Sequence, residues 1–317
     1  MKFRHFFFHI VSVVVILAGA GFLLFSYWRN FTVSKVTHTS TNSDVLAVSD
    51  ESFENEKNPA FRGDAGLADV RVPADIQSFY YDADVEGVLE ETGSMGESGS
   101  QYWWLNSGAR LITENGVSRT LLGRLDAASP WQKRYFEYNP SSTDGGYYPQ
   151  NIFRLITRSR WDEFQQEVYV RVLKDNFSLS QKRNASNGIF LLNRYQDSNN
   201  LYYTGIRVDG HAVIKRKRGG VYTTLAYEPV LEGEYDRMRN PSLLPKNTWI
   251  GVRSVGYTEP DGGVRVRLYL DIGKKGAWTL AADVLDTAGS KITNGGFAGI
   301  RTDFMDIEFD DYRITAL

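Results

Sequence analysis

The sequence predicts an all-β fold in which two antiparallel sheets pack face to face as a jelly-roll sandwich. Twelve short segments between residues 102 and 314 are apolar or alternate between apolar and polar residues, as strands do. Asp209-Gly210 and Gly219-Gly220 have the composition of two-residue hairpin turns. No stretch beyond residue 77 keeps a helical period over three turns. The segments show no internal repeat, which argues against a propeller or a solenoid.

The composition narrows the chemistry that this chain can perform. The sequence contains no Cys, which excludes thiol catalysis, zinc thiolate sites and disulfides, so an apolar core must supply the stability. Of the four His residues only His211 falls in the predicted sandwich, which argues against a His-based metal site or a Ser-His-Asp triad. The net charge of −2 gives no indication of nucleic-acid binding, although residues 215–218 read KRKR.

An apolar run near the start of the chain predicts a transmembrane anchor. Residues 6–28 are almost entirely apolar, and at about 1.5 Å per residue they would cross a hydrocarbon layer of roughly 30 Å. Tyr27 and Trp28 stand where interfacial aromatic residues lie. Residues 1–5 are then a cytoplasmic stub. The alternative is a cleaved signal peptide, since Ala18-Gly19-Ala20 resembles a cleavage site, but the apolar run continues beyond it.

The remaining chain divides into a tether and one domain. Residues 29–76 are rich in Ser, Thr, Asn, Asp and Glu and cannot bury enough apolar surface to fold alone, so they are predicted to be a flexible tether. Residues 77–317 contain the predicted strands and form the sandwich domain. A large domain that follows an anchor is predicted to lie outside the cytoplasm, on the cell surface or in the periplasm.

Two stretches carry a resemblance to a known superfamily. Residues 187–226 read NGIFLLNRYQDSNNLYYTGIRVDGHAVIKRKRGGVYTTLA, and residues 295–314 read GGFAGIRTDFMDIEFDDYRI. Together they resemble the concanavalin A-like lectin and glucanase superfamily, and most of all the laminin-G-like and 3-keto-disaccharide hydrolase-type jelly rolls of bacterial surface proteins. The resemblance covers residues 103–314 at best. It implies a two-sheet sandwich whose concave face grips glycans in many relatives, and it does not imply catalysis.

The last predicted strand carries alternating acids, Asp306, Glu308 and Asp310. Retaining glucanases of the superfamily have a similar acid-aliphatic-acid strand, but in mid-chain. On a regular strand Asp306 and Asp310 would stand roughly 13 Å apart, whereas a retaining pair needs about 5 to 5.5 Å. We therefore predict a solvated strand rather than a catalytic one. Its intervening apolar residues are predicted to face the core: Met305, Ile307 and Phe309.

A structural calcium ion is the other alternative for this strand. Many relatives hold calcium through an Asp on the last strand, and Asp311-Tyr312-Arg313 resembles that context. The resemblance thus implies Asp311 as a calcium ligand. Calcium favours six to eight oxygen ligands, which one strand cannot supply, so residues 91–100 or the tether would have to contribute.

A basic and aromatic cleft is predicted on the middle strands. Tyr203 and Arg207 share one face of a strand, and the Asp209-Gly210 turn brings Lys215 alongside. Aromatic rings that stack on sugars, combined with polar groups that bind hydroxyls, are typical of glycan sites. The candidate ligand-binding residues are Arg194, Tyr203, Arg207 and Lys215, with Arg154 and Tyr148 at a neighbouring strand and loop. Alternating Tyr and Arg are also common on a solvated sheet face without any site.

Adjacent Trp103 and Trp104 must point to opposite faces of a strand, so one is predicted to lie in the core and the other to be available for a sugar. We therefore predict a membrane-anchored, extracytoplasmic carbohydrate-binding domain whose partner is a polysaccharide or glycoconjugate. A polysaccharide hydrolase or lyase that uses Tyr and carboxylates, with His211 as its one imidazole, is the first alternative. A structural surface or adhesion protein without a sugar site is the second.

Overall fold

The computed structural model describes residues 78–317, and every structural statement below concerns this range. The predicted stub of residues 1–5, the anchor of residues 6–28 and the tether of residues 29–76 lie outside it. Within residues 78–317 no helix is long and apolar enough to cross a membrane.

Sixteen strands and one short α-helix build the described part of the chain. The strands are β1 (Ser78–Tyr81), β2 (Gly87–Glu90), β3 (Trp103–Ser107), β4 (Arg110–Glu114), β5 (Val117–Arg119), β6 (Arg154–Trp161), β7 (Phe164–Asp175), β8 (Gly188–Asp197), β9 (Asn200–Arg207), β10 (His211–Arg218), β11 (Val221–Pro229), β12 (Trp249–Thr258), β13 (Val264–Ile272), β14 (Thr279–Asp286), β15 (Gly296–Thr302) and β16 (Met305–Ala316). The helix is α1 (Pro130–Tyr138), and two single turns of 3-10 helix cover Met95–Glu97 and Pro149–Ile152.

The strands form two sheets with antiparallel pairing, which confirms the predicted fold class. The seven-stranded sheet has the order β11-β10-β9-β8-β15-β6-β3. The nine-stranded sheet has the order β14-β13-β12-β7-β16-β5-β4-β2, and β1 pairs with the last residues of β16. The two Gly-containing hairpins form where the sequence predicts them, and Gly219 and Gly220 have φ of 55° and 85°, which favour glycine.

A continuous apolar core fills the space between the two sheets. Ile189 and Ile214 of the seven-stranded sheet belong to the same buried cluster as Val168, Val252 and Phe309 of the nine-stranded sheet. This face-to-face packing is the sandwich that the resemblance implies.

A second apolar cluster lies on the outer face of the seven-stranded sheet. It includes Phe190, Leu192, Tyr203 and Phe297, whose strand neighbours point into the main core. Tyr202 and Tyr203 illustrate the alternation, because the first belongs to the inter-sheet cluster and the second to the outer one. Both faces of this sheet are therefore buried near its centre, and polar groups on the outer face lie in a partly apolar surrounding.

One predicted strand segment is in fact two strands in different sheets. Residues 102–113 form β3 of the seven-stranded sheet and β4 of the nine-stranded sheet, separated by Gly108 and Ala109. Gly108 has a φ of 114°, and a Cβ at this position would lie 2.8 Å from the Phe153 ring. The chain crosses between the sheets at a point where only glycine fits.

Helix α1 has no counterpart in the sequence prediction, because its nine residues do not complete three turns. Ser129-Pro130 marks its start, since Pro is favoured in the first turn. The Tyr135 hydroxyl fixes the helix by donating a short hydrogen bond to the buried Glu91 carboxylate and by accepting one from the Gly108 amide.

The last strand, β16, lies in the nine-stranded sheet, and its apolar residues are buried as predicted: Met305, Ile307 and Phe309. Glu308 pairs with Arg171 on β7, and Asp310 pairs with Lys274 at 3.2 Å. The prediction of a solvated acid is wrong for Asp306, which is buried. Its carboxylate accepts hydrogen bonds from the Gly123 amide and from the side chains of two buried amides, Gln150 and Asn176.

Candidate binding pocket on the seven-stranded sheet

A pocket opens on the outer face of the seven-stranded sheet, across β8, β9, β10, β11 and β15. It contains about 350 Å³ of empty space, including its open mouth. Its lining residues combine apolar rings with cationic and polar groups: Ser186, Phe190, Tyr203, Lys215, Tyr222, Arg301 and Asp303. Small-molecule sites are typically concave and mostly apolar, with a few polar groups that fix orientation.

Three aromatic rings form the apolar wall of the pocket. Tyr203 and Tyr222 are stacked, with 5.9 Å between ring centroids and 29° between ring planes. Phe190 meets Tyr203 edge to face at 6.1 Å. Tyr203 is almost fully buried, whereas Tyr222 is half-buried on the edge strand β11. Tyr222 is therefore the ring of this stack that offers more surface to a ligand.

An ion pair forms the polar floor of the pocket. The Arg301 guanidinium donates to one oxygen of Asp303 through Nε at 3.0 Å and through Nη2 at 2.9 Å. Its Nη1 donates to the Tyr203 hydroxyl at 3.0 Å. Arg301 thus connects the aromatic stack to the buried carboxylate and fixes the position of the Tyr203 oxygen.

Two lysines of β10 lie beside the stack. The ammonium of Lys215 is 5.9 Å from the centre of the Tyr222 ring, and that of Lys217 is 4.7 Å from it. Both lysines are more than nine-tenths buried. The Gly219-Gly220 turn sets this arrangement, since it places Lys217 directly opposite Tyr222 in the hairpin.

The positive charges change the acidity of Tyr203. Burial by itself raises the pKa of a phenol, but the charges of Arg301, Lys217 and Arg154 outweigh it and lower the pKa of Tyr203 below its ordinary value. Burial in turn lowers the pKa of Lys217. The phenol and the lysine are thus both perturbed, as groups at functional sites often are.

The structure brings three of the six predicted ligand-binding residues together. Tyr203 and Lys215 line the pocket and face each other across β9 and β10. Arg154 lies on β6 directly opposite Arg301 of β15, and its guanidinium is 6.0 Å from the Tyr195 ring. Its charge also acts on Tyr203, so Arg154 contributes to the field of the pocket.

Arg194 is not part of the pocket, contrary to the prediction. It occupies an irregular position of β8 with a φ of 50°. Its side chain therefore does not point to the face of the sheet that a regular strand would give it. Its guanidinium is buried and donates to the Ile292 carbonyl and to the Thr258 hydroxyl, at 2.8 Å each. Arg194 therefore connects β8 to other elements of the fold.

Arg207 also lies outside the pocket lining. It pairs with Asp209 at 3.0 Å and donates to the Ala185 carbonyl at 2.9 Å. His211, at the other end of the same turn, stacks on Tyr227 with 4.0 Å between the rings. These residues form a separate cluster at the β9–β10 turn, because Arg207 is the last residue of its strand and reaches the turn rather than the sheet centre.

Three further residues that the sequence analysis singled out lie outside the pocket lining: Tyr148, Trp103 and Trp104. Tyr148 is half-buried and precedes the 3-10 turn at Pro149–Ile152. Trp103 lies in the inter-sheet core, as predicted for one of the pair. Trp104 faces outward but is only 5 % exposed, and it packs with Met95 in the outer cluster. Trp104 is therefore not open to a sugar.

Asp311 lies in the nine-stranded sheet, at an irregular position of β16 with a φ of 52°. Its carboxylate forms an ion pair with the Lys274 ammonium at 2.7 Å and accepts a hydrogen bond from the Tyr80 hydroxyl at 2.5 Å. Within residues 78–317 no group of three or more His, Cys, Asp or Glu side chains could hold a metal ion. These surroundings do not fit a calcium ion, because Lys274 already neutralises the carboxylate.

Sequence reasoning missed several lining residues, of which Tyr222, Arg301 and Asp303 are the most important. A signal for Tyr222 was present, since a two-residue turn at Gly219-Gly220 fixes which residue lies opposite Lys217. Nothing in the sequence places β15 beside β8, so Arg301 and Asp303 could not be assigned to the same site as Tyr203.

Comparisons with known proteins give structural matches alone. No family model matches the sequence, and no curated protein matches it. The carbohydrate-binding module CBM66 from Bacillus subtilis is 11 % identical, with 68 % of this chain and 95 % of that chain covered and a TM-score of 0.43. The GH43 protein BlXynB from Bacillus licheniformis is 13 % identical over 78 % of this chain and 40 % of that one, with a TM-score of 0.42. The VIP36 exoplasmic/lumenal domain, in a form bound to Ca2+ and Man3GlcNAc, is 10 % identical over 68 % and 83 %, with a TM-score of 0.39.

Proposed function

We propose that this chain binds carbohydrate in the pocket on the seven-stranded sheet. One observation carries the proposal: the stacked rings of Tyr203 and Tyr222 border a solvent-open cavity together with Lys215, Arg301 and Asp303. An aromatic wall beside charged donors and acceptors matches the two faces of a sugar, which has apolar C–H surface and polar hydroxyls.

The half-buried Tyr222 is the ring that contributes most to the proposed contact. A sugar that packs on it would lie within reach of the Lys215 ammonium, which can donate to hydroxyl oxygens. Asp303 belongs to the same lining and holds the Arg301 guanidinium in place through two hydrogen bonds.

The test is affinity electrophoresis of the full chain, purified in a sugar-free detergent, through gels that contain neutral or acidic polysaccharides. We expect retardation by at least one polymer, and a roughly tenfold weaker interaction for Tyr222→Ala. Tyr257→Ala is the matched control, because this half-buried tyrosine lies on β12 of the other sheet. Unretarded migration in every gel would contradict the proposal and favour a structural surface protein.

A second candidate, β-elimination of a polysaccharide, is favoured by the lowered pKa of Tyr203. A lowered pKa leaves a larger fraction of the phenol ionised at a given pH, and elimination needs a base that removes a ring proton. Hydrolysis by two carboxylates has less support, since Asp303 is the one carboxylate among the lining residues. Incubation with the retarding polymer, followed by the ultraviolet absorbance of unsaturated products, tests elimination. A constant absorbance with the wild-type chain would exclude it for that polymer.

A calcium requirement is a separate proposal that the same gels address. If calcium supports binding, a chelator abolishes retardation and added calcium restores it. Unchanged retardation in the chelator would contradict a calcium-dependent site.

We also propose that residues 6–28 anchor the domain in a membrane and hold it on the extracytoplasmic side. The length and apolar character of this segment support the proposal. Fractionation of cells that express the full chain should leave it in the membrane pellet after alkaline washing. Protease added outside the cytoplasm should remove the domain, and protection from that protease would contradict the orientation.

A further inference from the structure

The charges around the pocket are strongly unequal in sign. Four cationic side chains act there: Lys215 and Lys217 from β10, Arg154 from β6 and Arg301 from β15. Asp303 is the carboxylate of the lining, and Asp197 at the β8–β9 turn acts on Lys217 from farther away. The surroundings of the pocket therefore carry an excess of positive charge on a face of the sheet that is partly apolar.

The proximity of these positive charges lowers the stability of the fold. Arg301 lies directly opposite Arg154 across β15 and β6, and like charges in that relationship are destabilising. Asp303 offsets the charge of Arg301, with which it makes two hydrogen bonds. The burial of the two lysine ammonium groups adds a desolvation cost.

The lysine ammonium groups mark where a negative group would gain most. Both lie within 6 Å of the centre of the Tyr222 ring, at 5.9 Å for Lys215 and 4.7 Å for Lys217. A ligand that packs on Tyr222 therefore places its substituents beside both. A charged hydrogen bond from a desolvated ammonium is stronger than one to a neutral hydroxyl.

We propose that the pocket selects an anionic sugar residue, whose carboxylate or sulfate group is bound by Lys215 and Lys217 while its ring packs on Tyr222. Arg301 is a positioning residue in this arrangement, since its donors already hold Asp303 and the Tyr203 hydroxyl. This inference rests on the proposed carbohydrate binding and adds the charge of the ligand.

The test compares three oligosaccharides of equal length by calorimetry with the full chain in a sugar-free detergent. The probes are an oligogalacturonate, its carboxyl-reduced neutral counterpart and a sulfated form of the neutral counterpart. We expect at least one anionic probe to bind roughly tenfold or more tightly than the neutral one at low salt. The preference should shrink as sodium chloride is added, because salt screens charge attraction.

Two lysine variants test whether Lys215 and Lys217 cause the preference for anionic probes. Lys217→Met and Lys215→Met should each reduce the anionic preference, whereas Lys174→Met should keep it, since Lys174 is exposed on β7 of the other sheet. The salt series with the wild-type chain does not depend on whether a variant folds.

The outcomes separate this inference from the proposal on which it rests. Preference for the uronate alone assigns a carboxylate ligand, preference for the sulfated probe alone assigns a sulfate ester, and equal preference assigns a shared anion site. Equal affinity for all three probes, independent of salt, would overturn the inference and leave carbohydrate binding intact. Absence of binding to every probe, with unretarded migration in all polysaccharide gels, would overturn both.

Discussion

Arg216 and Asp286 form an ion pair between the two sheets, with 2.6 Å from the arginine Nη1 to each carboxylate oxygen. Both side chains are buried, and the Tyr202 hydroxyl also donates to Asp286 at 2.7 Å. Arg216 follows Lys215 and precedes Lys217 in β10, so the pair fixes the strand whose other face places Lys215 in the pocket lining and Lys217 beside the Tyr222 ring.

Removing the carboxylate of this ion pair while its arginine remains should destabilise the fold strongly. Asp286→Ala leaves a buried guanidinium without its carboxylate, and we expect the free energy of unfolding to fall by about 3 to 5 kcal/mol. The control is Asp283→Ala on the same strand, which removes partly exposed ion pairs and should cost about 1 kcal/mol or less. Urea unfolding measures both, and similar losses would contradict the assigned role of Asp286.

The acids of the last strand should differ in their effect on stability and leave the pocket unaffected. Asp306→Ala removes the acceptor of three hydrogen bonds, two of them from the buried side chains of Gln150 and Asn176, so we expect a loss of about 3 kcal/mol. Asp310→Ala removes a partly exposed pair with Lys274 and should cost about 1 kcal/mol or less.

Retardation by a polysaccharide should be unchanged in both variants, because β16 lies in the nine-stranded sheet. If Asp310→Ala abolished binding while the fold stayed intact, these acids would belong to the site after all.

Glu91 should make stability depend on pH. Burial raises the pKa of Glu91 above its ordinary value of 4.5, although hydrogen bonds from Tyr135 and the Ala109 amide oppose the rise. The folded state therefore holds this proton more tightly than the unfolded state. The stabilisation is complete below the ordinary value and is lost as the pH rises through the raised pKa.

Urea midpoints of the wild-type chain and Glu91→Gln, measured across this range, test the dependence. The stability of the wild type relative to Glu91→Gln should decrease as the pH rises. Glu137→Gln, at an exposed position of α1, should show no such trend. A relative stability that increases with pH would show that the hydrogen bonds outweigh burial.

Tyr203 should ionise below the ordinary phenol value of 10.0, because Arg301, Lys217 and Arg154 favour its phenolate. The ultraviolet difference titration between the wild type and Tyr203→Phe isolates this group. Lys217→Met should move the titration to higher pH, since it removes one positive charge, whereas Lys174→Met should leave it in place. A titration midpoint at or above the ordinary phenol value in the wild type would show that these three positive charges do not outweigh the burial of Tyr203.

The sequence by itself determined the all-β class, the hairpin turns and the burial of Met305, Ile307 and Phe309. These features depend on residues near one another in the chain, since alternation sets the faces of a strand and Gly219-Gly220 sets the register of its hairpin. The position of the Asp209-Gly210 turn likewise predicted that Tyr203 and Lys215 lie on neighbouring strands. Strand alternation failed for Arg194, because an irregularity in β8 reverses the face of a side chain without any clear mark in the sequence.

The tertiary structure alone decided which distant strands became neighbours. β15 lies between β8 and β6, and this placement carries Arg301 and Asp303 to Tyr203 across about one hundred residues of sequence. The partners that bury Asp306 come from segments as far away as Gly123, so its alternation with apolar residues could not reveal them. Period-two patterning reports only which face a residue occupies, and the packing of the whole chain decides what covers that face.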